Sequence, residues 1–260
     1  MSPLAAGAAD LDLEGPLRDY ASLGYARLGR VISDEALAAL RERCDDLMLG
    51  RVTYPGLFFQ RDTETGQYED LAYGKGWEGP SLNYRKIEKL EKDPLFLALL
   101  QNDLFARIAR RVLGEPVKLY RAVLFNKAAH GGTLLPWHQD GGSLWGLDRD
   151  PVLQLWVAID DAPADAGCVD MLPGTHLGGL ATPLGGIVPR KMIEAANAEA
   201  RAIPEPARAG EALIIHNHVW HRSGVNRTGS PRRGFTVCYL HGDTRCVRKK
   251  RAPREFLRVF

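Results

Sequence analysis

The sequence is most informative first in what it lacks. Its four cysteines, Cys44, Cys168, Cys238 and Cys246, are widely spaced and form no CxxC pair, which argues against both a cysteine-built zinc site and a secreted disulfide scaffold. No apolar run approaches the ~20 residues of a membrane-spanning helix, so no membrane partner is expected. Charge of one sign is also missing: 34 Lys and Arg stand against 32 Asp and Glu, a formal net charge of +2, and nothing in that balance favours nucleic acid. Residues 1–14 lack the basic segment and long apolar stretch of a secretory signal. Internal repeats and low-complexity tracts are absent. What remains is an ordinary folded composition, 45% hydrophobic and 25% charged over 260 residues, enough for one domain with a substantial core. A single-domain cytoplasmic protein is expected.

Along the chain, residues 1–14 read as a loose tail, followed by a short helix over 17–24 and a strand over 24–28. Ser33, with Asp34 and Glu35 behind it, is a good helix cap, and Leu37, Leu40, Leu47 and Met48 give that helix an apolar stripe ending near Gly50. Residues 51–85 show no period and are rich in Gly, Tyr, Asp and Glu. So long a stretch without an element inside a compact domain predicts a binding loop or lid. Asp93-Pro94 opens one or two helices that end at Gly114. Beyond it, residues 117–126, 153–159, 212–216 and 234–240 are short β-rich runs separated by turn residues, and 190–200 predicts one inserted helix. Helices first and strands after predict an α+β fold built on a β-sandwich or barrel.

The chemistry concentrates at Trp137-His138-Gln139-Asp140. On an extended segment alternate side chains share a side, so His138 and Asp140 converge. An imidazole and a carboxylate are two of the three ligands in the facial triad that holds non-heme Fe(II) with open positions. The third ligand has one concentrated source, the segment containing His216, His218 and His221. A zinc site built from those three histidines alone is the structural rival, and a surface turn at Gln139-Asp140-Gly141-Gly142 is the bland one.

Further on, His221-Arg222-Ser223-Gly224-Val225-Asn226 reads as a loop, with Arg232-Arg233-Gly234-Phe235 opening the next strand. Together with His138-x-Asp140, the stretch Asp161-Ala162 to Gly167-Cys168, and Pro173-Gly174-Thr175-His176, this resembles the phytanoyl-CoA dioxygenase (PhyH) branch of Fe(II)/2-oxoglutarate-dependent oxygenases. The resemblance covers most of the chain. It implies a double-stranded β-helix, a jelly roll of two facing sheets, with N-terminal and flanking helices. It implies iron ligands His138, Asp140 and His221, which are also the catalytic set, since the distal histidine opens an H-x-S-x-x-N segment. The family's cosubstrate arginine lies eleven residues beyond that histidine, at Arg232; a guanidinium fork suits the far carboxylate of 2-oxoglutarate, and Arg233 is the alternative. Ser223 matches a position that bonds the same carboxylate. Asn126, Lys86 and Trp156 match further positions beside the cosubstrate.

The implied activity is hydrogen abstraction from a C–H bond of a small-molecule substrate, consuming O2 and decarboxylating 2-oxoglutarate to succinate. Hydroxylation or oxidative cyclisation could follow. The polar and aromatic 51–85 segment suits a polar, sugar-like natural product, such as a sugar-containing antibiotic, better than a long acyl chain. Trp145, Gln139 and Tyr84 are the substrate-binding candidates. A non-catalytic metal-binding jelly roll and a metallohydrolase are the competing readings.

Overall fold

The structure, a computed structural model, describes residues 3–249 and 254–260. Helix α1 (Glu14–Leu23) leads into strand β1 (Tyr25–Arg30) and helix α2 (Asp34–Leu49). Ser33 caps α2, its hydroxyl accepting from the Ala36 amide at 3.2 Å, and Gly50 ends it with φ 74°. Strands β2 (Phe58–Arg61) and β3 (Tyr84–Glu88) precede helices α3 (Pro94–Leu100) and α4 (Asp103–Leu113). Those helices are capped by Asp93, accepting from Leu95 N at 2.8 Å, and Asn102, accepting from Phe105 N at 2.9 Å. There follow β4 (Val117–Lys127), β5 (Leu135–Gln139), β6 (Leu153–Ala158), β7 (Val169–Leu172) and β8 (Gly186–Ile187). Helices α5 (Arg190–Ala195) and α6 (Ala198–Arg201) come next, then β9 (Ile203–Glu205), β10 (Glu211–Ile215), β11 (Trp220–Ser223) and β12 (Arg232–His241).

The strands form two antiparallel sheets, seven-stranded β1-β10-β6-β12-β4-β3-β2 and five-stranded β8-β5-β11-β7-β9. This is the expected double-stranded β-helix within an α+β fold. Because side chains alternate across a strand, the large sheet has two unlike faces. One packs Leu124, Leu155, Val157, Phe235 and Val237 against Leu40, Leu47, Phe96, Phe105 and Ile108 of the helices, forming the main core. The other meets the small sheet through a lesser cluster, Trp156, Leu213 and Ile215 against Val169 and Met171. Among the described residues no helix is long and apolar enough to cross a membrane.

Four local expectations change. The expected tail is packed where it is described: Leu13 is 3% exposed, and Arg107 of α4 donates to the carbonyls of Ala9 and Leu11. Residues 1 and 2 lie outside the described residues. The 51–85 segment contains β2 and the start of β3, which extend the large sheet at its edge. The expected loop after Trp220 begins as β11, hidden because its Trp-His-Arg-Ser run has no apolar alternation. The single helix over 190–200 is two, broken at Asn197 with φ 50°.

Candidate metal centre

His138 on β5 and His221 on β11 are direct partners across the antiparallel ladder, with ring centroids 4.0 Å apart. Asp140 follows β5 by one residue, its amide donating to Asn217 O at 2.8 Å. The ligand atoms of His138, Asp140 and His221 lie within 4.8 Å of one another, and among the described residues this is the group of His, Cys, Asp and Glu with such spacing. Each imidazole is turned by its own strand: Nδ1 of His138 lies 2.9 Å from Pro136 O, and Nδ1 of His221 lies 3.0 Å from Val219 O. A carbonyl only accepts, so Nδ1 carries the proton and Nε2 presents a lone pair to the shared point.

The protonation states suit a cation. Burial, and then His221, push the His138 pKa down to about 3, so its imidazole is neutral near pH 7. Burial opposes ionisation of Asp140, but Arg121 and the two imidazoles hold its carboxyl well below the usual range. Both carboxylate oxygens are held: Oδ2 accepts from Gln154 Nε2 at 2.7 Å, and Oδ1 lies 3.2 Å from Arg121 Nη2. Two imidazoles and one carboxylate on one side of a cavity fit a ferrous ion.

The triad opens onto a cavity of about 190 Å³ between the sheets. Arg232, Ser223 and Trp156 line it as well. Neighbouring residues on β12 face opposite ways. Arg233 points to the helices and is neutralised by Asp160 at 2.6 Å and Asp45 at 2.7 Å. Arg232 points inward, 3% exposed; its Nη2 donates to Gly167 O, and its buried Nε has no partner. An orphaned guanidinium N–H facing a cavity is what a dicarboxylate such as 2-oxoglutarate would satisfy. Trp156 packs flat on β12 because residue 234 is glycine, where a Cβ would lie 2.5 Å from the indole Nε1.

Not every residue singled out from the sequence reaches the cavity. Lys86 lines it, ion-paired to Glu88 at 2.7 Å. Asn126 also borders it, but its amide donates to Tyr84 O at 2.8 Å and Leu82 O at 3.0 Å, tying β4 to the chain entering β3. The three substrate candidates are turned elsewhere. Gln139 faces away from His138, its Nε2 donating to His218 O at 2.6 Å and Gly179 O at 2.8 Å. The Tyr84 hydroxyl accepts from Glu78 N at 2.7 Å and donates to Gly79 O at 2.9 Å, and its ring is fully buried on the helix side. Trp145 stacks on Tyr120 at 4.6 Å, with the Arg121 guanidinium 4.3 Å above its own ring, so it supports Arg121. The rival histidine set does not assemble either: His216 Nδ1 accepts from His218 N at 3.0 Å, while the His218 ring faces Asp150 at 3.5 Å.

The sequence reading missed Arg121, Gln154, Lys127 and Arg85, all on the cavity wall. A signal existed for two of them. Gln154 interrupts an apolar run, and Arg121 shares strand parity with Phe125 and Lys127 on a mostly buried strand.

Comparison with known proteins follows the same lines. The phytanoyl-CoA dioxygenase (PhyH) family matches residues 20–234. Phytanoyl-CoA dioxygenase domain-containing protein 1 of Bos taurus is 30% identical over 152 residues, 55% of this chain and 52% of that protein; the chain thus spans about half the length of this relative. A phytanoyl-CoA dioxygenase of Arabidopsis thaliana is 23% identical over 256 residues, 86% of this chain and 87% of that protein. Among solved structures, SnoK, a non-heme alpha ketoglutarate dependent carbocyclase from nogalamycin biosynthesis, shares the fold with TM-score 0.72 and 19% identity over 96% of this chain and 95% of its own. AviO1 from Streptomyces viridochromogenes does so with TM-score 0.64 and 23% identity, over 90% and 96%.

Proposed function

Because the chain belongs to the phytanoyl-CoA dioxygenase (PhyH) family, we propose that it is an Fe(II)/2-oxoglutarate-dependent oxygenase acting on a small, polar natural product. The observation that carries the proposal is the pairing, in one cavity, of a His138–Asp140–His221 group with a buried, part-orphaned Arg232. A plain metal binder or a hydrolase has use for the first and none for the second.

When bound, iron and 2-oxoglutarate supply the oxidising power that removes hydrogen from a substrate C–H bond, with 2-oxoglutarate decarboxylated to succinate. The chain's part is to hold and exclude. His138, Asp140 and His221 would hold the metal at the cavity wall. Arg232 and Ser223 hold the far carboxylate of the cosubstrate, and burial strengthens that charge-assisted bond. Gln154 and Arg121 keep the Asp140 carboxylate from rotating away. Trp156, Val169 and Ile215 wall the inner end with apolar surface and keep water out.

The likeness in fold to SnoK, from nogalamycin biosynthesis, supports a natural-product substrate, with hydroxylation or oxidative cyclisation of a sugar-containing antibiotic as the working case. The test is succinate formation from 2-oxoglutarate with Fe(II), O2 and a panel of such compounds. Succinate in the wild type and none in Asp140→Ala is expected. Metal-dependent hydrolysis of a panel compound without succinate would contradict the proposal.

A further inference from the structure

We infer that the substrate carries an anionic group, a carboxylate or phosphate, and that Arg85 receives it; the inference rests on the oxygenase reading above. Arg85 is in the cavity because β3 is irregular. Tyr84 and Ile87 both belong to the helix-side core, yet they are three residues apart, an odd separation that a regular strand would place on opposite faces. The register supplies the extra residue: Gln60 pairs with Lys86 and Arg61 with Tyr84, which leaves Arg85 unpaired. Such a bulge re-aims side chains, and here both Arg85 and Lys86 line the cavity.

Three of the cavity's other cations have carboxylate partners. Lys86 pairs with Glu88, Arg121 with Asp140, and Arg222 with Asp170 and Glu199. Arg232 is assigned to the far carboxylate of 2-oxoglutarate, and Lys127 donates its Nζ to Thr133 O at 2.6 Å, with burial pushing its pKa well down. Arg85 is left over. It is 9% exposed, donates to Gln60 Oε1 at 3.1 Å, and lies about 6 Å from the centres of the Tyr68 and Phe125 rings. Among the described residues no carboxylate pairs with it. A guanidinium buried without a counter-charge is costly, and its planar fork matches a carboxylate or phosphate in two-point fashion. Between two aromatic faces, its free edge forms a receptor for such a group on a ligand that also occupies the space before the metal.

The experiment uses full-length protein loaded anaerobically with Fe(II) and 2-oxoglutarate, the loading followed by the visible charge-transfer band of the chelate. Methyl phosphate, butyrate and uncharged methyl glucoside are then titrated by calorimetry into wild type, Arg85→Gln and Arg85→Lys. The expected result is that at least one anion binds the wild type, at least about tenfold more weakly to Arg85→Gln, and intermediately to Arg85→Lys, while the 2-oxoglutarate requirement stays within about twofold. Which anion binds separates a phosphate-bearing from a carboxylate-bearing substrate. Equal anion binding in Arg85→Gln, binding of methyl glucoside alone, or a large rise in the 2-oxoglutarate requirement would overturn the inference. A wild type with no band would contradict the oxygenase reading instead, and anion binding lost in Arg85→Gln would still support the Arg85 site.

Discussion

Arg232 and Arg233 are adjacent on one strand, both buried, and treated in opposite ways. Arg233, on the face toward the helices, has two carboxylates and the Arg41 carbonyl as partners. Arg232, on the face toward the small sheet, has one carbonyl and an unpartnered Nε. The same contrast runs through the large sheet. Its outer face is a core of leucine, valine, isoleucine and phenylalanine, whereas its inner face carries Arg121, Lys127, Gln154, Arg232 and Thr236 around a cavity. Polar groups left incompletely satisfied in a protein interior are retained where something else completes them. One face of this sheet holds the fold together, and the other is prepared for ligands.

Substitutions can break that division. The largest effect is expected at Asp140→Ala, which should lower Fe(II) affinity beyond the roughly 100-fold upper end seen for residues that merely orient a ligand, as measured by equilibrium dialysis. On the other face, Arg233→Ala strips Asp160 and Asp45 of a buried partner. It should cost about 3 kcal/mol in urea denaturation and leave the 2-oxoglutarate requirement unchanged. Arg121→Gln frees one oxygen of Asp140 and should weaken metal binding by about 10- to 100-fold, with Arg121→Lys recovering part of the loss.

A further effect concerns pH. Burial, and then His218 and His176, push the His216 pKa down to about 3, against ~6.5 in an unfolded chain. Between those values the unfolded chain takes up a proton that the folded one refuses. Stability from this source is therefore complete above pH 6.5 and falls on acidification toward 3. In the metal-free protein, His216→Gln should flatten the decline by up to ~1.4 kcal/mol per pH unit, read from urea midpoints between pH 7 and 4.5. An unchanged slope would mean that His216 already titrates normally.

The parts of this site that were legible in the sequence are those fixed by short, rigid spacing. His138-x-Asp140 places two side chains on one side of an extended segment, and the adjacent Arg232 and Arg233 must diverge, whereas His221 and Ser223 came from the family resemblance, their strand being hidden. The parts that were not legible depend on what strands meet across the barrel. Nothing local to Trp145 says that it stacks on Tyr120 and props Arg121, and nothing local to Gln139 says that its amide closes a loop at Gly179. Arg85 was hidden for a different reason. Its direction depends on a bulge opposite Gln60, and in sequence it is one more cation in a run with Lys86, Lys89 and Lys92. Two of the helix starts were easier, since Ser33 and Asp93 cap them by contacts within three residues.

The most direct test of the inner face as an iron and 2-oxoglutarate site is an anaerobic titration of Fe(II) and 2-oxoglutarate into wild type, Arg232→Ala and Arg233→Ala, followed by the visible charge-transfer band. A band in the wild type, a requirement for about 100-fold more 2-oxoglutarate in Arg232→Ala, in line with loss of a charge-assisted bidentate contact, and a wild-type requirement in Arg233→Ala are predicted. Metal bound without a band, or an equal shift in both arginine variants, would contradict the account.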